Sequence, residues 1–361
     1  MFSRAKSFWE RNERRLSLVA FVGGFLWDNL TLTRVDRLFD NLVLAAYLIV
    51  VFAALCLLNA HGAGHLQGAL SKRGVNFAKV ALPFAFGGLF SGFLIFYSRS
   101  GEVLASLPFL LVLCAFFLGN ELFKKHYERL TFQMSFFFVA LFSYSALILP
   151  VLLGGMGDGI FILSGCLALI LFWLSLRALR LVAREEVEKS KRVLLPIVGI
   201  LFVTFNVLYF NNMIPPIPLS LKEIGIYHTV ERTLASEYRL SFEKAPWYAF
   251  GKKTGAIFHR VGDEPVYAWS SVFAPTRLNT DILHRWSYFS ESSGEWIDSS
   301  IIGFPIYGGR SEGYRGYSRK EKIFPGKWRV DVETLRGQIL GRFVFTVEDS
   351  AAPPVLSSEI R

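Results

Sequence analysis

The apolar positions of this chain fall into two patterns that meet near residue 211. Before that point they run in long, nearly unbroken stretches: Leu16–Leu32, Asn41–Ala60, Phe77–Tyr97, Val103–Asn120, Phe132–Leu153, Ile160–Leu176 and Val193–Phe210. A bilayer core about 30 Å thick is crossed by about 20 apolar helical residues, and all but the first stretch meet or approach that length. Leu16–Leu32 is marginal, being short, with Gly23 and Gly24 in its middle and Asp28 near its end. Beyond about residue 222 apolar and polar residues alternate, which is the period of a half-buried strand.

The strand signals come at short intervals. Ile224–Val230 is followed by Tyr238, Leu240 and Phe242 alternating with Arg239 and Ser241, then by Ala256–Val261 and Val266–Ala274. Ile282, His284, Trp286 and Tyr288 alternate with Leu283, Arg285 and Ser287, and Trp296–Ile306 follows. Trp328, Val330 and Val332 alternate with Arg329, Asp331 and Glu333, and Ile339–Val347 closes the series. Turn residues separate them at Gly262–Pro265, Ser292–Gly294, Pro325–Gly326 and Arg336–Gly337. Short strands with regular turns and no helical stretch predict an all-β, immunoglobulin-like sandwich over residues 222–348. Pro215, Pro216 and Pro218 cannot continue a helix and predict an extended, semi-rigid linker over 212–221. Residues 349–361, rich in Ser and Pro, read as a flexible tail, and 1–15 as a charged amphipathic lead-in.

Charge orders the helical part. If all seven stretches span, one side holds Arg4, Lys6, Arg11, Arg14, Arg15, Lys72, Arg73, Lys79, Lys124, Lys125, Arg129, Arg177, Arg180, Arg184, Lys189, Lys191 and Arg192, and the other only Arg34, Arg37 and Arg99, which is 17 against 3. If Leu16–Leu32 lay on the surface instead, its flanks would merge and the asymmetry would shrink to 11 or 12 against 8 or 9. Lys and Arg gather in cytoplasmic loops, so the pattern predicts a polytopic protein with seven transmembrane helices over 16–211, the N-terminus in the cytoplasm and the β-rich region outside. No signal-type cleavage site follows the first apolar run. Cys56, Cys114 and Cys166 all lie in predicted spans, so no disulfide is available to the β-rich part, whose stability rests on its packed core.

The string His284-Arg285-Trp286, Gly308-Gly309-Arg310, Gly313-Tyr314-Arg315-Gly316-Tyr317-Ser318, Gly326-Lys327-Trp328-Arg329-Val330, Gly337-Gln338 and Gly341-Arg342-Phe343-Val344-Phe345 resembles the bacterial family catalogued as domain of unknown function 2914. The resemblance covers about Pro265 to Glu348. It implies an envelope protein whose sandwich stands outside the inner membrane, and it implies no reaction and no cofactor.

Candidate chemistry is sparse, and no catalytic motif stands out. His61 and His65 have helical i,i+4 spacing, but Gly62 and Gly64 between them point to a loop at the membrane surface rather than a metal site. Asp28, Glu102, Glu121 and Asp158 sit near span ends, where carboxylates are solvated, and Asp28 is the strongest candidate for a transport role. Arg177–Arg192, with six basic and three acidic residues, reads as an orientation signal, with docking to anionic lipid or a partner as the alternative. His284 has no Ser or Cys nucleophile announced beside it and shares a predicted strand face with Trp286. Trp286, Trp328, Phe343 and Phe345 are expected in the core.

The sharpest feature is Tyr307–Lys320. Four glycines allow tight turns, and Arg310, Tyr314, Arg315, Tyr317, Arg319 and Lys320, with His284 and Arg285, form the candidate ligand-binding set. The rival reading of the same residues is a structural corner. From Lys222 on the chain carries 19 basic and 17 acidic residues, too nearly neutral for a nucleic-acid partner. The expected partners are the lipid bilayer and an anionic envelope ligand or envelope protein. The expected function is display of a periplasmic sandwich that binds or organises a glycan, lipid head group or protein. The rival is a membrane-embedded enzyme or transporter of envelope lipids or glycans, with the sandwich as accessory.

Overall fold

A computed structural model of the chain describes residues 22–66, 68–122, 129–234, 237–247 and 253–361. The lead-in over 1–15, the start of the Leu16–Leu32 stretch, Lys124, Lys125 and the side chain of Glu121 lie outside the described residues. The chain divides into two compact units: a helical one, and a β-rich one formed by Asn212–Arg361 together with Arg99–Ser106 and Leu153–Met156.

Among the described residues the helical unit has seven helices: α1, described over 22–31, then α2 Leu38–Gly62, α3 Ala69–Arg99, α4 Leu107–Leu122, α5 Leu130–Leu153, α6 Asp158–Val182 and α7 Arg184–Phe210. Five of them, α2, α3, α5, α6 and α7, are long and apolar enough to cross a membrane, while the apolar part of α4 is shorter, at Leu107–Asn120. The shortening has a local cause. Val103–Ser106, counted with the span on hydropathy, is a turn in which the Glu102 carboxylate accepts from the Ala105 N–H (2.7 Å) and the Glu102 carbonyl from the Ser106 N–H (3.1 Å). Pro108 then sits in the first turn of α4, where no N–H is needed.

The helices bury a cluster of phenylalanines inward and carry other large apolar side chains outward. Phe86, Phe90, Phe93, Phe138 and Phe142 are wholly buried, whereas Leu38, Ile49, Phe77, Phe84 and Ile200 are each more than 60% exposed. The connection from α1 to α2 is tied down by α2 itself. The Asp40 carboxylate accepts from the N–H groups of Thr33 (3.1 Å) and Arg34 (3.3 Å), and Asn41 donates to the Val35 and Arg37 carbonyls.

Among the described residues the β-rich unit has eleven strands: β1 Ser220–Tyr227, β2 Thr229–Arg232, β3 Tyr238–Phe242, β4 Ile257–Arg260, β5 Val266–Phe273, β6 Asn279–Ser290, β7 Glu295–Tyr307, β8 Tyr314–Lys320, β9 Gly326–Thr334, β10 Ile339–Asp349 and β11 Ser357–Ile360. They form three sheets, in the orders β1-β5-β8, β4-β10-β9-β6-β7 and β11-β3-β2. All pairings are antiparallel except β4 with β10. The first two sheets share a core of Ile226, Val266 and Ala268 from one and Phe258, Trp286, Trp328, Val330, Phe343, Phe345 and Val347 from the other. The third sheet packs Leu240 and Phe242 on Tyr227 and Trp269, which point away from that core.

Three segments differ from their reading in the sequence. The proline segment is no free spacer, because Ile214–Leu219 is buried in the β-rich unit. Prolines can be buried without orphaning a donor, and the Gln338 amide donates to the Ile214 carbonyl (3.0 Å). The Ser/Pro tail contains β11, which pairs with β3. The second half of the glycine-rich segment is β8, paired along its length with β5.

Candidate functional site

β8 sits at the edge of its sheet and alternates strictly. Ser318 points into the core, where it meets His284, and Gly316 faces Phe304 of the opposite sheet. Tyr317 and Arg319 therefore point outward, and they are 43% and, for the side chain, 52% exposed. Glycine is required at 316 because a Cβ there would lie 2.1 Å from the Phe304 ring. It is required at 308 too, where a Cβ would lie 1.7 Å from the Pro275 carbonyl oxygen. Both glycines thus serve packing.

On the outer face the structure builds an aromatic surface that only partly uses the predicted residues. The Tyr317 ring lies 5.9 Å from Tyr238 of β3 and 6.2 Å from Tyr267 of β5. The Arg319 guanidinium lies 6.0 Å from the Tyr267 ring centre and pairs with Glu321 at 3.2 Å. Beneath the third sheet Trp269, 1% exposed, stands opposite Tyr317 across the β5–β8 ladder, and its indole N–H has no acceptor among the described residues. Tyr238, Tyr267 and Trp269 are absent from the sequence-derived set. Their positions follow from strand pairing and from the third sheet, neither of which a period-two pattern reveals.

The other predicted residues are dispersed. Arg310 lies over Tyr314 at 5.7 Å, and Tyr314 contacts Tyr307 at 5.9 Å, at the turn between β7 and β8. Arg315 is half-buried opposite Ser271. Lys320 lies 6.0 Å from the Trp328 ring, and burial lowers its ammonium pKa.

His284 is in the interior. Its Nε2 lies 2.8 Å from Ser270 Oγ and its Nδ1 2.8 Å from Ser318 Oγ, which also accepts from Trp286 Nε1 at 2.9 Å. Burial holds the imidazole down to about 3, so it is neutral. A neutral ring donates at one nitrogen and accepts at the other, which two hydroxyls satisfy. Arg285 points to the opposite outer face and is spent on Glu333 (2.7 Å) and Asp298 (2.7 Å), with Glu333 first in raising its pKa. Arg342 forms a two-toothed pair with Asp331 at 2.6 and 2.7 Å beside it.

A second charged cluster escaped the sequence reading altogether. His228 Nε2 lies 3.1 Å from Glu243 and its Nδ1 3.3 Å from Glu264, while His259 Nδ1 lies 2.6 Å from Glu243. Burial pushes the Glu243 carboxyl up, but hydrogen bonds from the His259 N–H, the His259 ring and His228 outweigh it and hold the pKa below the usual value. The cluster ties the β2–β3 excursion to β4. Of the helix-end candidates, Asp158 receives the Tyr209 hydroxyl at 3.3 Å, and His61 Nδ1 is taken by the Leu66 carbonyl at 3.0 Å, which separates it from His65. Among the described residues no group of His, Cys, Asp and Glu is placed to hold a metal ion.

Residues 279–347 match the family described as Protein of unknown function (DUF2914). The match begins at the first residue of β6 and ends within β10, so it includes β8 and the whole core of the five-stranded sheet apart from β4. No curated protein matches the chain. A solved structure, Pseudomonas fluorescens alkylpurine DNA glycosylase AlkC bound to DNA containing an abasic site analog, aligns at 9% identity over 87% of this chain and 99% of that one. Its TM-score is 0.22, a likeness too slight to bear on fold or function.

Proposed function

We propose that this is a multi-pass protein of a bacterial inner membrane whose β-rich unit is an immunoglobulin-like sandwich in the periplasm, where the surface around Tyr317 binds a glycan of the cell envelope. The surface itself carries the reading. Exposed Tyr317 of β8 clusters with half-buried Tyr238 of β3 and Tyr267 of β5, and the Arg319 guanidinium lies over the Tyr267 ring. Aromatic faces attract the polarised C–H groups of a sugar ring, and a guanidinium matches a carboxylate or phosphate on it.

Strand order supports the sandwich. β1, β5 and β8 follow one another as strands A, B and E do, and β10, β9, β6 and β7 as G, F, C and C′ do, with Trp286 buried on the strand in the C position. On this reading β2, β3 and β11 are an addition outside the two sheets. The Lys and Arg asymmetry supports the orientation, as does the membership of Arg99–Ser106 and Leu153–Met156 in the β-rich unit. Those segments are the α3–α4 and α5–α6 connections, on the side poor in Lys and Arg.

The test uses the full chain in mild detergent. Retention on immobilised peptidoglycan and on an anionic polysaccharide is expected to fall at least about tenfold in Tyr317→Ala with Arg319→Ala, a loss of about 1.4 kcal/mol. Unchanged retention would refute the site. A reporter active only in the cytoplasm is expected to give signal when fused after Ser190 and none after Arg361; signal at Arg361 would refute the orientation.

A further inference from the structure

The helical unit contains a cavity of about 1030 Å³ where α2 ends, α3 and α5 begin their apolar runs, and α7 starts. Its interior is polar. Asn59 on α2 donates to Gln133 on α5 at 3.2 Å, and Gln133 is only 3% exposed. Leu58, Leu82 and Pro83 supply an apolar wall. The rim is charged. Lys79 comes from α3, and Arg184 and Lys189 from the first turns of α7. Glu185 and Glu186 share the rim, and Glu185 already lies 3.8 Å from Lys189. Lys79 and Arg184, on different helices, form no ion pair among the described residues and share the opening with Glu186, which forms none either.

The volume is that of a small-molecule site rather than of an ion. An apolar wall, a pair of amides, and Lys79 and Arg184 without ion pairs among the described residues, set against Glu186 and a Lys189–Glu185 pair that leave the rim one positive charge in excess, fit a phosphate ester carried on an apolar tail. We propose that this cavity binds the head group of an anionic phospholipid, with Lys79 and Arg184 on the phosphate and the Asn59–Gln133 pair beneath it. Arg184 is suited to the task because its fork can bind two phosphate oxygens, and Lys79 adds a point charge from the neighbouring helix. The site is independent of the glycan surface and of the orientation of the chain.

A basic membrane-facing surface attracts anionic lipid without any pocket, so the control must carry the same charge change. The full chain, in neutral detergent mixed with equal phosphatidylglycerol and phosphatidylcholine, is weighed as the intact lipid complex. About tenfold enrichment of phosphatidylglycerol is expected, abolished by Lys79→Ala with Arg184→Ala and retained by Lys191→Ala with Arg192→Ala, which removes two charges from the same helix region outside the cavity. Equal loss in both double variants, or enrichment in neither chain nor variants, would overturn the proposal. Glycerol phosphate serves as the soluble arm. If it displaces the lipid only at concentrations far above the lipid's own, the lipid is the ligand. If it binds equally well with no lipid present, the phospholipid assignment fails and a soluble phosphate ester takes the site.

Discussion

The two units satisfy their buried polar groups in different ways. In the helices, many polar side chains bond back to their own helix, as Ser135 does to the Thr131 carbonyl, Ser164 to Ile160 and Asn206 to Phe202, and a few reach a neighbouring helix, as Asn59 does to Gln133 and Tyr97 to the Ser143 carbonyl. In the β-rich unit they bond across strands and sheets, as His284 does to Ser270 and Ser318, Arg342 to Asp331 and Arg285 to Glu333. The apolar surfaces differ too, with many large apolar groups facing outward on the helices and Trp269, Trp286 and Trp328 wholly enclosed in the β-rich unit. A helix long and apolar enough to cross a membrane gains by satisfying its polar groups locally or on a neighbouring helix. The β-rich unit is held by a buried core and sets charges in pairs on its surface. Its stability is therefore concentrated in a few residues, and substitutions there should tell the two designs apart.

The largest effect is expected at the tryptophans. Trp286 and Trp328 are wholly buried in the core between the facing sheets. Either Trp286→Ala or Trp328→Ala should destabilise the β-rich unit by about 3–5 kcal/mol, measured as loss of its cooperative melting transition in the full chain. Near-neutral behaviour in both would mean that the shared core does not hold the sheets together. Gly316→Ala comes next, because the added methyl meets the Phe304 ring. Overpacking of this kind costs roughly 1–3 kcal/mol. The double variant Gly316→Ala with Phe304→Ala should be more stable than the sum of the two single losses, and strict additivity would count against the contact.

How much of this was legible in the sequence follows from the range of each interaction. Helices and strands were readable because their signals are periodic and local: α2, α5 and α7 and strands β5, β6, β9 and β10 stand where the apolar periods put them. Val103–Ser106 misled because hydropathy does not register a turn closed by one carboxylate. The proline segment misled because burial of Ile214–Leu219 depends on Gln338, more than a hundred residues away. The candidate site was half legible. Tyr317 and Arg319 stood out by composition, but Tyr238 and Tyr267 join them only through the pairing of β5 with β8 and the packing of a third sheet.

A pH-dependent effect is expected from His284. Its pKa is depressed to about 3 in the folded chain by burial, against an ordinary 6.5 when unfolded. The unfolded chain therefore binds the extra proton more readily between those values. The contribution is complete above about pH 6.5 and is lost as pH falls from there towards 3, on the order of 1 kcal/mol per pH unit. His284→Asn keeps a hydrogen-bonding group without titrating, so its melting temperature should fall less steeply over pH 6 to 4 than that of the unaltered chain. Parallel pH profiles would show that the ring is solvated.

The smallest effect separates binding from structure in the glycine-rich segment. Arg310 is exposed with its guanidinium over the Tyr314 ring, Arg315 is half-buried, and neither has a carboxylate partner among the described residues. A structural corner would hold its arginines on buried acceptors, as Arg342 is held on Asp331. Truncating such an arginine would leave the acceptor unpaired. Here there is no such acceptor to strand, so Arg310→Ala with Arg315→Ala should change stability by no more than about 0.5–1 kcal/mol. Arg342→Ala, by contrast, leaves the 2%-exposed Asp331 without its two-toothed partner and should cost distinctly more. Melting the two variants side by side, with glycan retention read on the same samples, makes the comparison internal. A large melting loss in the Arg310/Arg315 pair would return this segment to a structural role, whereas an intact fold with weakened retention would extend the ligand surface from Tyr317 towards the β7–β8 turn.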